Sequence, residues 1–331
     1  MAALIELENV SKRFERKLDA AEKIFNLMGG HIHAEVVHAV DKVNLAIGDG
    51  EVVGLVGESG CGKSTLGRVV AGIHAASDGT VKFKGRDVTK MSAAEAKVWA
   101  LQVQMIFQDP MSSLNPRLRV RDIIGEAPVF HGLVTSAELD DYVEDLMLRV
   151  GLDPSYRTRY PHQFSGGQRQ RIGIARALAV KPAFLVCDEA IAALDVSIQA
   201  QVINLFMRLR ADLGLTYLFI SHDLGVVEHV SERVVIMYLG RIVEIAETEE
   251  LFRKPNHPYT VALLAEVPRI ERRGQTFAPI KGEIPSPLNP PSGCHFHPRC
   301  PHATDRCRAE QPKLREIAPG RYSACHLNDQ S

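Results

Sequence analysis

This 331-residue sequence has neither a long apolar run nor an excess of charge of one sign. No apolar stretch approaches the roughly 18 residues needed to span a bilayer. Lys and Arg total 39 and Asp and Glu total 40, which argues against a protein that coats nucleic acid, since coating needs a large positive excess. The first residues lack the charged-then-apolar order of a secretory signal, so we expect a cytosolic protein that meets a membrane only through a partner.

The chain is long enough for two domains, and its composition changes near residue 250. Twelve of the 18 prolines fall in residues 255–331. Because proline removes a backbone donor and breaks helices, a loop-rich C-terminal extension is predicted over residues 251–331, after a first domain over residues 1–250.

Three apolar runs of strand length predict a parallel sheet covered on both faces. The runs are 52–56, 183–187 and 216–220. Apolar residues three or four positions apart over 198–213 predict a helix between the last two strands. Strands that alternate with helices predict an α/β fold with its chemistry at the carboxyl ends of the strands. An inserted helical lobe is predicted over residues 110–180, and an irregular or helical insert is predicted over residues 15–35.

The strongest motif is a glycine-rich loop between the first of these strands and a helix. The segment is Gly57-Glu58-Ser59-Gly60-Cys61-Gly62-Lys63-Ser64, which fits the pattern GxxxxGK[ST]. Glycines let backbone N–H groups surround a phosphate, and the start of a helix favours an anion. Lys63 is predicted to reach the β- and γ-phosphates and Ser64 to offer its hydroxyl to Mg²⁺. The flanking strand and helix disfavour the alternative of a chance glycine-rich turn.

An acidic pair, Asp188 and Glu189, ends the second apolar strand. Asp188 can hold Mg²⁺ through water, and Glu189 points elsewhere and can act on an attacking water. The alternative is an ordinary acid pair at a helix start, where carboxylates are favoured. Downstream of a phosphate loop, the pair favours the catalytic interpretation.

A second glycine-containing helix start follows Phe164. It reads Ser165-Gly166-Gly167-Gln168 and opens a helix, as a second anion site would. The alternative is a serine cap followed by glycines, which is common. Two phosphate sites in one chain would be redundant unless the second serves the nucleotide of another subunit.

These motifs, in this order, resemble the ATP-binding cassette (ABC) ATPases over about residues 4–250. The glycine-rich loop resembles Walker A, residues 184–189 resemble Walker B, and Ser165–Gln168 resembles the family signature. Further matches are Gln108 with the Q-loop, Asp195 with the D-loop, His222 with the switch histidine and Phe14 with the aromatic residue that stacks on adenine. The resemblance implies a P-loop ABC ATPase with a RecA-like parallel sheet core, an antiparallel β subdomain and a helical subdomain at about residues 110–180.

The resemblance also implies roles for these residues. It implies ATP hydrolysis in a sandwich of two subunits, with ATP and Mg²⁺ between Walker A of one subunit and the signature of the other. The cofactor-binding residues it implies are Phe14, Gly57, Glu58, Ser59, Gly60, Cys61, Gly62, Lys63, Ser64, Thr65, Gln108, Ser165, Gly166, Gly167, Gln168, Asp188 and Asp195. The implied catalytic residues are Lys63, Gln108, Glu189 and His222, and the implied Mg²⁺ ligands are Ser64, Gln108 and, through water, Asp188.

One segment departs from the family pattern. After the acidic pair the family often has Pro-Thr-Ser, where this chain has Ala190-Ile191-Ala192. The catalytic acid is kept, but Ala192 replaces a hydroxyl near the D-loop, and this bears on communication between subunits.

The C-terminal segment narrows the family. Residues 256–260 and 293–301 resemble the C-terminal extension of oligopeptide and dipeptide permease ATPases, and residues 195–202 resemble the F-type of the two ATPases of such a permease. The resemblance implies a subunit that energises import of a small solute, with di- or oligopeptides as the family default. The implied partners are a second ABC ATPase subunit in a heterodimer, two transmembrane permease subunits and a solute-binding protein, but no nucleic acid. The implied location is peripheral, at the cytoplasmic face of the bacterial inner membrane.

Four of the six cysteines cluster in this extension. They are Cys294, Cys300, Cys307 and Cys325. In a reducing cytosol, four thiols favour a metal over disulfides. The resemblance implies a [4Fe–4S] cluster, which some members of the family carry here. Zinc is the alternative metal, although its sites usually contain a close CxxC pair. Four reduced thiols packed beside prolines are the alternative to any metal.

Three other functions compete with transport. An ABC ATPase of nucleic-acid repair or of translation would predict a net basic domain or a second cassette. A metal-sensing module with an inactive cassette conflicts with the intact Lys63, Asp188, Glu189 and His222. A P-loop kinase would not need Ser165–Gln168.

Overall fold

The centre of the fold is a parallel sheet, seen in a computed structural model that describes residues 3–16, 22, 26–29, 35–266 and 282–330. The strands in these residues are β1 Ala3–Glu15, β2 Val36–Gly48, β3 Val52–Val56, β4 Asp78–Phe83, β5 Arg86–Asp87, β6 Val103–Ile106, β7 Phe184–Asp188, β8 Thr216–Ile220, β9 Arg233–Tyr238, β10 Arg241–Glu247, β11 Arg315–Ala318 and β12 Arg321–Ser323. Their order across the larger sheet is β11-β12-β10-β9-β3-β8-β7-β6. Strands β9 to β6 in this order are parallel, and the strands beyond β9 are antiparallel.

The three predicted apolar strands lie side by side in the middle of this sheet. They are β3, β7 and β8, and every residue in them is buried. Helices cover the parallel sheet on both faces, which is why these strands contain apolar side chains at successive positions rather than at alternate ones.

Helices follow the strands in the alternating order predicted for an α/β fold. They are α1 Lys63–Val70, α2 Ala93–Gln102, α3 Pro110–Ser113, α4 Val120–Phe130, α5 Leu139–Arg149, α6 Gly166–Leu178, α7 Val196–Leu213, α8 Leu224–Val230, α9 Thr248–Arg253, α10 Pro258–Ala265 and α11 Asp305–Ala309. Helices α3 to α6 lie between β6 and β7 and form the expected helical lobe. Residues three or four apart on α5, such as Leu139, Val143 and Met147, pack in the core of this lobe.

A smaller antiparallel sheet lies beside the first, in the order β2-β1-β4-β5. Its inner face packs against α1, with Ile5 and Ile47 buried in one apolar cluster with Leu66. This sheet is the expected antiparallel β subdomain. Most of the predicted insert at residues 15–35 lies outside the described residues.

The C-terminal extension is joined to the larger sheet by hydrogen bonds and buried charge. Strand β12 pairs with β10, so the sheet crosses the predicted boundary at residue 250. The fully buried Glu244 carboxylate accepts the backbone N–H groups of Asn256 and His257, each at 2.8 Å, and forms an ion pair with Arg321. The extension therefore packs on the first domain. The division into residues 1–250 and 251–331 stays a prediction.

None of the helices in the described parts of the chain is both long enough and apolar enough to cross a membrane.

Candidate functional site

The carboxyl ends of four neighbouring parallel strands carry the predicted functional residues. Strand β3 leads into the loop at residues 57–62, β6 into Gln108, β7 into Asp188 and Glu189, and β8 into His222. Because parallel strands end at the same edge of a sheet, residues far apart in sequence meet there.

The loop is packed too tightly for side chains at two of its glycines. A Cβ on Gly57 would lie 2.1 Å from the Met237 carbonyl oxygen, and one on Gly62 would lie 2.0 Å from the Ala39 carbonyl oxygen. Gly62 also has a φ of 107°, which favours glycine. With no side chains at these turns, the loop is a backbone cradle of the kind that holds phosphate groups.

The lysine of the motif is buried within this loop. Lys63 begins α1, and its Nζ donates hydrogen bonds to the carbonyl oxygens of Gly57 at 2.7 Å and Glu58 at 3.0 Å. The positive charge therefore lies inside the loop, where it complements the negative charge of a polyphosphate.

Ser64 and Asp188 are brought together from two strands. The Ser64 hydroxyl donates to Asp188 Oδ1 at 2.7 Å. Burial raises the pKa of Asp188, and the Ser64 hydrogen bond opposes that rise. Hydroxyl, carboxylate and amide oxygens are the donors that Mg²⁺ prefers, so this pair and the nearby Gln108 fit that ion.

Glu189 forms the centre of a second group of contacts. Its carboxylate accepts the side-chain amide of Gln108 at 2.8 Å and lies 3.4 Å from Nδ1 of His222. Its φ is 46°, in the left-handed region that non-glycine residues rarely occupy. Such strain is concentrated at functional sites, where the surrounding structure imposes it. The structure thus brings Gln108, Glu189 and His222 together.

The signature segment caps its own helix. The Ser165 hydroxyl accepts the Gln168 N–H at 3.3 Å, and the Gln168 side-chain oxygen accepts the Ser165 N–H at 3.0 Å. Ser165 and Gly166 are exposed, whereas a Cβ on Gly167 would lie 2.5 Å from Ile198 Cγ2. The segment can therefore be both a serine cap and an anion site, because the cap leaves the helix start open to solvent.

The remaining predicted nucleotide residues are spread around the site. Phe14 is 39% exposed and touches His74 edge-on, so it is not a core residue. Asp195 is exposed and immediately precedes α7. Cys61 is buried, and that burial raises the pKa of its thiol. Ser59 and Gly60 are exposed, and Thr65 is half-buried. The roles of all these residues stay predictions.

Sequence reasoning missed two residues that contact the phosphate loop from the extension. Tyr259 Oη accepts the Glu58 N–H at 2.9 Å, and the Arg299 guanidinium binds both carboxylate oxygens of Glu58, at 2.7 and 2.9 Å. Both residues lie in the segments 256–260 and 293–301 that carry the family resemblance. That resemblance was the available signal, but it does not say what the residues touch.

The predicted iron–sulfur or zinc site is wrong. Among the described residues, which include all four cysteines of the extension, no three His, Cys, Asp or Glu side chains are grouped so that they could hold a metal ion. The four thiols line one small cavity, and none of them is in a disulfide. Cys294 and Cys300 pack against an apolar cluster. Burial raises the pKa of Cys294 to about 11 and also raises that of Cys300 and Cys325.

Comparison with known proteins identifies the family. Residues 40–192 match the ABC transporter family, and residues 243–307 match the C-terminal region of oligopeptide/dipeptide transporters. The chain is 49% identical to the oligopeptide transport ATP-binding protein AppF of Bacillus subtilis (strain 168), over 94% of this chain and 96% of AppF. The chain belongs to the ABC transporter ATP-binding proteins, in their oligopeptide/dipeptide group. The resemblance stated from the sequence is confirmed.

Two further relatives of this ABC ATPase support the assignment. One is the putative oligopeptide transport ATP-binding protein YkfD of Bacillus subtilis (strain 168), 52% identical over 88% of this chain and 90% of YkfD. The other is the probable peptide ABC transporter ATP-binding protein y4tS of Sinorhizobium fredii, 48% identical over 94% of this chain and 89% of y4tS.

Solved structures confirm the fold of this ABC ATPase. The ATP-binding cassette MJ0796, solved as a dimer in a post-hydrolysis state bound to ADP and Pi, matches with a TM-score of 0.62 and 25% identity, over 74% of this chain and 98% of MJ0796. Another dimeric structure of MJ0796, described as a bacterial ABC transporter cassette, matches with a TM-score of 0.62 and 26% identity, over the same shares. The expected P-loop ABC ATPase fold and the ATPase function coupled to transport are thus confirmed.

Proposed function

We propose that this ABC ATPase hydrolyses ATP at the edge formed by β3, β6, β7 and β8, and so energises import of di- or oligopeptides. The observation that carries the proposal is the contact of Glu189 with both Gln108 and His222, beside the Ser64–Asp188 pair. Peptide as the solute is supported by the names of AppF and y4tS and by the match at residues 243–307.

Each residue at this edge has one task in the proposed reaction. Lys63 and the loop N–H groups hold the phosphates. Ser64 and Gln108 would hold Mg²⁺, with Asp188 acting through water, and the ion when bound would neutralise charge on the phosphate oxygens. Glu189 orients or deprotonates the attacking water, and His222 contacts the γ-phosphate. Such catalysis consists mainly of positioning and charge stabilisation.

A second subunit completes the site in this proposal. Ser165 and Gly167 bind the nucleotide held by the partner subunit, Asp195 lies near the same interface, and Phe14 stacks on adenine in its own subunit. ATP then drives closure, because contacts to the γ-phosphate are made only in the closed state, and a ligand shifts an equilibrium only by such differential affinity.

The proposed assembly contains four other components. They are a second ABC ATPase subunit, two transmembrane permease subunits and a solute-binding protein. The permease subunits dock near Gln108 and the helical lobe, which places this chain at the cytoplasmic face of the bacterial inner membrane. In this assembly residues 1–250 form the nucleotide-binding domain and residues 251–331 form the extension.

Glu189→Gln tests the proposal in the assembled transporter. Turnover should fall about 10²–10⁴-fold, because the general base is lost, while ATP binding is retained. The measurements are phosphate release and MgATP affinity. Glu228→Gln, at an exposed position of α8, is the matched control and should behave as wild type. Wild-type turnover in Glu189→Gln would refute the assigned role.

A further inference from the structure

Hydrogen bonds from described residues of the C-terminal extension reach the phosphate loop at Glu58. We propose that Arg299 and Tyr259 are positioning residues that hold the loop in its nucleotide-binding shape, so that the extension sets the affinity of the site for nucleotide. The inference rests on the proposed function, because it concerns the same phosphate loop.

The Arg299–Glu58 contact is a buried bidentate ion pair. The two terminal guanidinium nitrogens each donate to one oxygen of the Glu58 carboxylate, and the Arg299 side chain is only 4% exposed. The hydrogen bond with Glu58 raises the pKa of Arg299, so the arginine stays charged. Parallel N–H···O bonds of this kind fix direction as well as distance. The Glu58 side chain therefore has one defined orientation.

Tyr259 fixes the main chain of the same residue. Its hydroxyl accepts the Glu58 N–H at 2.9 Å. The ring is fully buried on α10 and packs against Tyr238 and Phe296, with ring centroids 4.7 and 5.4 Å apart. Because these rings are held by their neighbours, the hydroxyl cannot follow a loop that moves.

The charges around Glu58 explain why holding this residue in place affects the affinity for nucleotide. The Glu58 carbonyl oxygen accepts a hydrogen bond from Lys63 Nζ, so a shift of Glu58 moves a contact of the phosphate-binding lysine. Without Arg299, a carboxylate that is largely buried would be left uncompensated beside the site that must accept a polyphosphate. Arg299 thus positions the loop and cancels a negative charge that would repel the ligand.

The extension is anchored firmly enough to act in this way. Residues Tyr259 and Phe296 belong to one apolar cluster with Val56, the last residue of β3 before the loop. Glu244 in β10 accepts the backbone N–H groups at the start of the segment that leads into α10. The loop therefore packs against residues of both the sheet and the extension.

Arg299→Gln in the full-length chain tests the inference, with MgADP as the probe and isothermal titration as the measurement. The dissociation constant should rise about tenfold, because Glu58 loses its counter-charge. The double variant Arg299→Gln/Glu58→Gln should recover to about threefold weaker than wild type, since it removes the uncompensated charge but does not restore the bidentate contact. A merely structural role of Arg299 would not give this rescue. Arg308→Gln, which breaks an exposed pair with Asp305, is the matched control and should bind as wild type.

The outcomes separate this inference from the proposed function. If the wild-type chain does not bind MgADP, the proposed function fails. If the wild type binds and folded Arg299→Gln binds equally well, or the double variant is no tighter than the single one, the inference fails alone. Should Arg299→Gln not fold, Arg299→Lys replaces it. This variant keeps the charge and loses the bidentate geometry, and wild-type affinity in it would overturn the inference.

Discussion

Two helices of this chain begin at glycine-containing segments that are predicted to bind phosphate, and their surroundings are opposite. The loop before α1 is enclosed by its own chain, with Gly57 and Gly62 against backbone carbonyl groups and Glu58 held by the extension. The start of α6 is exposed at Ser165 and Gly166. Its capping hydrogen bonds remain within α6.

The comparison indicates how one chain can carry one half of each of two nucleotide sites. The enclosed loop has a buried lysine, a hydroxyl–carboxylate pair and a strained glutamate around it. The exposed segment has a helix start and a free surface, which suits a nucleotide brought by another subunit. Variants of each segment test whether the two differ in the way this interpretation requires.

The largest effect is expected at the enclosed loop. Lys63→Ala should weaken MgADP binding by about 100-fold or more, because it removes the buried positive charge that meets the phosphates. Titration calorimetry measures the affinity, and Lys97→Ala, at an exposed position of α2, is the control. An unchanged affinity in Lys63→Ala would remove this residue from the site.

Asp188→Asn should have opposite effects on activity and on stability. Turnover should fall about 100-fold, because a ligand of the proposed Mg²⁺ site is lost. Burial raises the pKa of Asp188, so at pH values between its unfolded and folded pKa the folded chain holds a proton that the unfolded chain has released. The resulting stability is present at low pH and is lost as the pH rises through the raised pKa.

Thermal unfolding in a chelator, from about pH 4 to pH 8, measures this second effect. Asp188→Asn should raise the unfolding temperature at the upper end of this range and flatten its dependence on pH. The control is Asp212→Asn, an exposed aspartate at the end of α7. An identical pH dependence in the wild type and in Asp188→Asn would contradict the assigned burial cost.

A smaller effect separates the two glycines of the exposed segment. Gly167→Ala should lower the free energy of unfolding by about 1–3 kcal/mol, because its Cβ would press on Ile198. Gly166→Ala should change it by no more than about 0.5 kcal/mol, since its Cβ would meet only Leu194 at 3.8 Å. Urea unfolding measures both, and equal values would show that the two positions do not differ.

The enclosed site could be predicted from sequence largely because of its strands. Runs such as 52–56 and 216–220 are apolar at nearly every position, which is typical of buried parallel strands, and the ends of such strands share one edge. The shared edge therefore predicts that Asp188 lies close to Ser64, although no local sequence pattern links the two residues. The roles of these residues follow from chemistry and stay predictions until variants are measured.

The contacts of the extension could not be predicted in the same way. Arg299 and Glu58 are 241 residues apart, in segments rich in turns, and no periodicity relates them. The four cysteines were predicted to share a metal because they cluster in sequence, but among the described residues no three ligands are grouped so that they could hold a metal ion. Burial raises the pKa of Cys294, which the spacing of the cysteines does not predict.

The central claim is that the exposed start of α6 serves a nucleotide held by another subunit. Gly166→Glu tests it most directly, because the fold leaves room for a side chain there, and Gly173→Glu in the same helix is the matched control. In the assembled transporter, Gly166→Glu should bind MgADP as wild type but lose turnover by about 100-fold, whereas Gly173→Glu should keep both within about twofold. Wild-type turnover in Gly166→Glu would contradict the account.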